Sequence, residues 1–315
     1  MKITFKNVGQ GDSVILEWTK NGERRLGIVD CNLYQKTNPT IQHLQKVGCT
    51  KIDFIILSHP HEDHFSGMLE LLEFCEIHNI PITTFAHTAA ALHPRYLNYA
   101  NINSSDLVLL DKILFKAKAL YNKKMIRLLG SIAQNTTITL NQDFTLKALS
   151  PSIIELEKFT KEIDSNDQDY AKCSKAANYL SSVLKIYNKE GACLLTSDTE
   201  KSTLKRLKLR HIAEFETAFS IVQIPHHGSK NNHYPLFWSN LKRIPNCIAA
   251  VSVADGKYGH PNNNVISDFN SWDYETYSTN RLKVFSKPSQ IKTSLILDKI
   301  SNVIDSEGDL IFEVI

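Results

Sequence analysis

The chain has 315 residues, 42% of them apolar and 22% charged, with a formal net charge of +3. Those values fit a globular protein with a large core. They exclude a disordered or fibrous chain but not a polyanionic partner, since a basic groove fits inside a balanced total. Six scattered cysteines without a C-x-x-C pair argue against a disulfide framework and for buried thiols in a reducing compartment.

Strands and helices alternate from the start. "KITFKNV", "SVILEW" and "LGIVD" read as short strands separated by Gly-containing turns. The N-terminus has no apolar leader or cleavage pattern, and no window spans a bilayer, so a cytoplasmic protein without membrane association is expected. "NPTIQHLQKV" predicts a helix with Asn38 as N-cap and Pro39 at its first position. "FIILS" reads as a strand buried on both faces, and "GMLELLEFCEIH" has helical spacing. Residues 104–134, Lys-rich with apolar residues at helical periods, predict a helical insertion. "FTLKALS", "SSVLKIY", "ACLLTS", "IVQIP" and "CIAAVSV" return to strands, and "SLILD" and "DLIFEVI" end the chain in the same way. With no linker or repeat, one layered α/β domain over residues 1–315 is expected.

The chemistry concentrates in "SHPHEDHFSG", where the "FIILS" strand ends. In an extended segment His59 and His61 point the same way, and Asp63 and His64 on the following turn can address a second point nearby. Imidazole and carboxylate are the donors that zinc, manganese and iron prefer, and two such points bring two metals within reach of a shared water. A surface loop does not gather four such groups in six residues by default. Glu62 between them reads as a solvent-facing bystander.

The pattern His59-x-His61-x-Asp63-His64 resembles the metallo-β-lactamase superfamily motif. "VGQGDS" (8–13), "GIVDCN" with Asp30, "LLTSDTE" with Asp198, "IPHHGSKNN" (224–232) and "YGHP" (258–261) follow in order, as does Asn178-x-x-Ser181-Ser182-Val183. Together they are similar to the hydrolase domain of the competence DNA-uptake protein ComEC/Rec2 and its free-standing relatives. His61 stands where many of those relatives have Asp, and the superfamily's usual intermediate histidine has only His78, His87 and His93 as candidates, His87 foremost. The resemblance implies a four-layer αββα sandwich and two divalent ions, Zn2+ or Mn2+. His59, His61, Asp198 and one of His226 and His227 would hold one ion, with His226 favoured as the residue that continues "IVQIP". Asp63, His64, Asp198 and His260 would hold the other, Asp198 bridging. The partner of that pair, His227, stands with Asp63 and Lys230 as a candidate catalytic group. Asp30 is expected to hold the metal loop by hydrogen bonds, and "GQGDS" to serve as a tight turn.

The implied reaction is phosphodiester hydrolysis by a metal-bridging hydroxide, with nucleic acid, DNA first, as substrate. The 104–134 insertion and "LKRLKLRH" (204–211) are basic enough to meet phosphates, though each also reads as a solvated helix face. The alternatives are a small-molecule phosphoesterase whose pocket the insertion closes, a β-lactamase or thioester hydrolase, and a non-catalytic interaction module. A protein partner or a homodimer leaves no legible mark in the chain.

Overall fold

The computed structural model describes residues 1–99, 104–167, 169–254, 259–279, 305 and 307–314. Its first sheet takes β1 (Lys2–Phe5), β2 (Val14–Lys20), β3 (Glu23–Val29), β4 (Ile52–Leu57), β5 (Ile82–His87) and β6 (Ile126–Ser131) in sequence order. The second takes β7 (Thr137–Thr139), β8 (Thr145–Ser150), β9 (Val183–Tyr187), β10 (Ala192–Leu195), β11 (Phe219–Gln223), β12 (Arg243–Val251) and β13 (Glu275–Ser278). A final strand, β14 (Leu310–Glu313), returns to the first sheet and pairs antiparallel with β1.

The sheets face each other across one core. Ile3, Val14, Leu16 and Phe54 of the first meet Leu146, Leu184, Cys193 and Ile221 of the second, all buried. Trp18 stacks on Phe54 and donates its indole N–H to the Leu140 carbonyl across the gap. Gly27 is required beneath that stack, because a Cβ there would lie 2.0 Å from the Phe54 ring. On the outer face of the first sheet pack α1 (Pro39–Lys46), α3 (Met68–Ile77) and α4 (Ser104–Asn122); the short α2 (Glu62–Phe65) sits in the metal motif. The Asn38 side chain caps α1 by accepting from Ile41 N, with Pro39 following it, as its sequence predicts. Outside the second sheet lie α7 (Lys201–Arg210), α8 (Pro235–Trp238) and α9 (Asn263–Ser271). The result is the expected four-layer αββα sandwich. Two further helices, α5 (Ile153–Asn166) and α6 (Tyr170–Ala176), form a small cluster of their own between β8 and β9.

The 104–134 insertion differs from its helical expectation. The helix stops at Asn122, and Ile126–Ser131 form β6, parallel to β5 along the sheet edge. Strand pairing with the β5 edge overrides the helical period of "MIRLLGS". Nor does α4 lie over the metal loops. It packs against α3, with Lys116 and Lys123 both on Glu76. "SLILD" and Tyr258 lie outside the described residues. Among the described residues no helix is long and apolar enough to cross a membrane, and the six cysteines are all free.

Each sheet has a parallel half, β3–β6 in the first and β10–β13 in the second. The loops leaving the carboxyl ends of β3, β4, β10, β11 and β12 therefore gather at one edge of the sandwich, where open α/β sheets place ligands.

Candidate metal centre

Asp198 sits where those loops meet, and its two carboxylate oxygens face different ways. Oδ2 lies 3.8 Å from His59 Nε2 and 3.4 Å from His226 Nε2. Oδ1 lies 3.5 Å from His64 Nε2 and 3.6 Å from His227 Nε2. Asp63 closes the second group, 3.8 Å from His64 Nε2 and 3.4 Å from His227 Nε2. Two sets of donor atoms result: His59, His61 and Asp198, and Asp63, His64, Asp198 and His227.

These separations test the fit of a cation. Donors about 2.1 Å from a tetrahedral zinc sit about 3.4 Å from one another, close to the spacing found and longer than hydrogen bonds between the same atoms. His64 Nε2, His227 Nε2 and Asp198 Oδ1 are moreover buried without a hydrogen-bond partner, a state that natural cores avoid unless something else completes the groups. The residues fit divalent ions at both sets.

The outer nitrogens of these rings fix which atom faces the centre. His64 Nδ1 lies 2.7 Å from Asp30 Oδ2, His227 Nδ1 lies 2.9 Å from the Ser252 carbonyl, and His59 Nδ1 lies 3.2 Å from Ser197 Oγ. Each leaves Nε2 toward the centre. His61 is reversed. Its Nε2 lies 2.8 Å from the Ser174 carbonyl of α6, and its Nδ1 is 3.1 Å from His59 Nε2. Asp30 also accepts from Ser58 N and Ser58 Oγ at the base of the motif.

Charge divides the rings into two kinds. Burial holds His59 and His61 below the usual imidazole range, so both stay neutral. Burial acts the same way on His64 and His227 but is outweighed. Asp30, Asp198 and Asp63 raise His64 well above its usual value, and Asp198 and Asp63 push His227 up to about 9. Burial opposes the charge on Asp63, yet His64 and His227 hold its carboxyl well below the ordinary range.

The histidines of "PHHGS" are arranged differently from expectation. An extended segment would send His226 and His227 to opposite sides. Instead both take left-handed backbone, φ 48° and 53°, and both rings turn toward Asp198. Contacts remote in sequence hold this strained pair: His226 N donates to Ser197 O, Asn262 N donates to Gly228 O, and His227 is tied to Ser252. Gly228 is needed because its φ is +81° and a Cβ would lie 2.7 Å from Pro261. His227, with its side chain 1% exposed, takes the place in the Asp63 set expected of His260. His226 is 27% exposed, and its ring lies 5.8 Å from that of His260, which stands outside both sets. The geometry thus places His227 in the Asp63 set and leaves His226, partly exposed, beside the Asp198 oxygen that faces the His59 set. Asn178 Nδ2 lies 3.4 Å from His226 Nδ1. His87, at the end of β5, joins neither set. Lys230 lies exposed three residues beyond His227, and Glu62 is exposed.

One residue at the centre, Gln223, lies outside the motifs the sequence singled out. Gln223, the last residue of β11, is buried with every side-chain polar atom used. Its Oε1 accepts from Thr196 N at 2.9 Å and Ser197 N at 3.0 Å, and its Nε2 donates to Asp12 Oδ2 at 2.8 Å. Asp12 N in turn donates to the Asp63 carbonyl at 3.0 Å. The "GQGDS" turn is therefore a buttress beneath Asp63. The lone polar residue ending an apolar strand was the one cue to Gln223.

Residues 9–132 match the family model described as the metallo-beta-lactamase superfamily. No curated protein matches the chain significantly. Similar solved structures include the metallo-beta-lactamase fold protein YhfI from Bacillus subtilis, at 10% identity and TM-score 0.45 over 88% of this chain and 95% of that one. Zn2+-bound PqqB from Methylobacterium extorquens matches at 9% identity and TM-score 0.46, over 88% and 98%. A long form RNase Z from yeast matches at 12% and 0.40, over 99% of this chain and 41% of that one. The chain thus carries the superfamily's sequence match over residues 9–132 and, in its paired sheets and outer helices, the metallo-β-lactamase fold.

Proposed function

We propose that the chain is a two-metal phosphodiesterase acting on nucleic acid, DNA first. The observation that carries this reading is the Asp198 carboxylate, whose two oxygens address two separate donor sets. His59, His61 and Asp198 would hold one ion, and Asp63, His64, Asp198 and His227 the other. Zn2+ or Mn2+ suits these donors, and ions bound there supply an activated water at neutral pH and neutralise charge on a phosphate.

The protein's own groups do the rest. The Asn178 amide lies 3.4 Å from His226 Nδ1, which turns the ring's Nε2 toward the centre, 3.4 Å from Asp198 Oδ2. Its partial exposure lets it meet a substrate, where it can stabilise or protonate the leaving oxygen. Lys230 on the same loop suits a flanking phosphate. The preference for DNA rests on the ordered likeness of "VGQGDS", "PHHGS" and "GHP" to the competence hydrolases. A small phosphoester is the second reading, favoured by α6, which reaches over the centre through Ser174 and, just beyond its end, Asn178.

One assay separates them. Purified protein with Mn2+ or Zn2+ is given linear and circular single- and double-stranded DNA, RNA, and bis-p-nitrophenyl phosphate. His61→Ala/Asp63→Ala serves as the control. Cleavage of DNA by wild type alone is expected. Turnover of only the small ester removes the nuclease reading, and an active double variant removes the metal assignment.

A further inference from the structure

We propose that Gln223 is the positioning residue that sets the register between the two halves of the metal centre, so that it governs how tightly the second ion is held; this rests on the two-metal reading above. Asp63 and His64 come from the first sheet's loops, Asp198 and His227 from the second's. A backbone bond from Ser182 N to Ser58 O, 3.0 Å, joins the sheets at the start of the first loop, and the Asp63 and Asp198 turns are joined through side chains. Gln223 touches none of the four, yet it is joined to both sides.

On the second-sheet side its Oε1 accepts from Thr196 N and Ser197 N. Ser197 is left-handed, φ 47°, immediately before Asp198. Two amide donors on one oxygen hold that strained turn and so aim the Asp198 carboxylate. On the first-sheet side Nε2 donates to Asp12, whose N–H holds the Asp63 carbonyl. One planar carboxamide therefore spans from the Asp198 turn to the Asp63 turn. Ser58 Oγ and Ser197 Oγ, 2.7 Å apart, make a second crossing beside His59. That bridge runs beside His59 and, through Asp30, behind His64; the link that reaches the Asp63 backbone is the one Gln223 makes through Asp12. The carboxamide is suited to the task because it accepts at one end and donates at the other, as neither a carboxylate nor an ammonium group does.

The chemistry offers a swap. Gln223→Glu keeps the acceptor for Thr196 and Ser197 but sets a carboxylate against Asp12. Adding Asp12→Asn restores the bond with its direction reversed. Co2+ is titrated into metal-free protein, following d–d absorption for stoichiometry and affinity. Thermal melts of the metal-free forms report folding separately.

Wild type is expected to take two equivalents. Gln223→Glu should hold the second about 10- to 100-fold more weakly, the range seen when a group behind a metal ligand is lost. The swap should recover to within about threefold. Gln223→Glu binding both ions like wild type, or a folded swap as weak as Gln223→Glu, overturns the proposal. If Gln223→Glu does not fold, the swap decides by the same criterion. A wild type that takes up no divalent ion refutes the metal reading itself, which is a different failure.

Discussion

Replacing Gly11 by alanine tests how the N-terminal turn supports the centre. Gly11 has φ +126°, and a Cβ built on it would lie 2.3 Å from the Asp63 carbonyl oxygen and 2.1 Å from Asn32 Nδ2. Ordinary contact needs about 3.5 Å, so turn and metal loop must part by roughly 1 Å. The Asp12 N to Asp63 O bond, 3.0 Å long, then stretches past the hydrogen-bonding range. The unsuitable backbone costs about 1–3 kcal/mol, and a buried pair left unmade costs a similar amount. A total of about 2–6 kcal/mol lowers Tm by roughly 3–9 °C in a protein of this size. Gly22 is the control. It has φ +80° but nothing within 4 Å of a built Cβ, so Gly22→Ala should cost only about 1 kcal/mol. Thermal melts and Co2+ titration of both variants give the answer. If Gly11→Ala melts no lower than Gly22→Ala and binds metal like wild type, the buttress does not exist.

Two further outcomes concern protons. Because His64 and His227 are raised, the latter to about 9, while His59 and His61 are lowered, filling the Asp63 set at pH 7.5 should release about two protons and filling the His59 set none. Calorimetry in buffers of different ionisation enthalpy measures this, and buffer-independent heats for both ions would contradict it. The same shift makes metal-free stability pH-dependent: a raised His227 stabilises fully below 6.5, and that contribution is lost as pH rises through about 9, so metal-free Tm should fall over this window. Glu17 has the opposite sign. Burial alone would raise its pKa, but hydrogen bonds from His43 and Lys2 bring it down to about 2. Its contribution is complete above 4.5 and lost as pH falls through about 2. Glu17→Gln should lower stability at pH 7 by on the order of 2 kcal/mol and flatten acid unfolding in that window; an unchanged acid limb would show that the cluster contributes nothing.

What was legible in the sequence was local. His59, His61, Asp63 and His64 lie within six residues on a strand exit, so spacing alone showed their common purpose. The strands "FIILS", "ACLLTS" and "IVQIP" were legible because burial on both faces leaves an apolar run. The conformation of His226 and His227 was not, because two successive left-handed residues are stable only with Ser197, Ser252 and Asn262 in place. The edge strand β6 was hidden for a similar reason. Its partner β5 lies some forty residues earlier, and a Lys-rich helical period runs into it. Gln223 and Asp12 are 211 residues apart, and no local pattern links a glutamine in one strand to an aspartate in a distant turn.

Asp198 lies on the second sheet, and β14 closes the first sheet by pairing with β1, where Val314 N donates to the Met1 carbonyl. A chain still emerging from the ribosome thus exposes the His59–His64 motif long before Asp198 and His227 arrive to complete either set. During that interval it is a histidine-rich loop without the Asp198 carboxylate between its two sets. A site built this way cannot assemble during synthesis and is completed only when the two halves close.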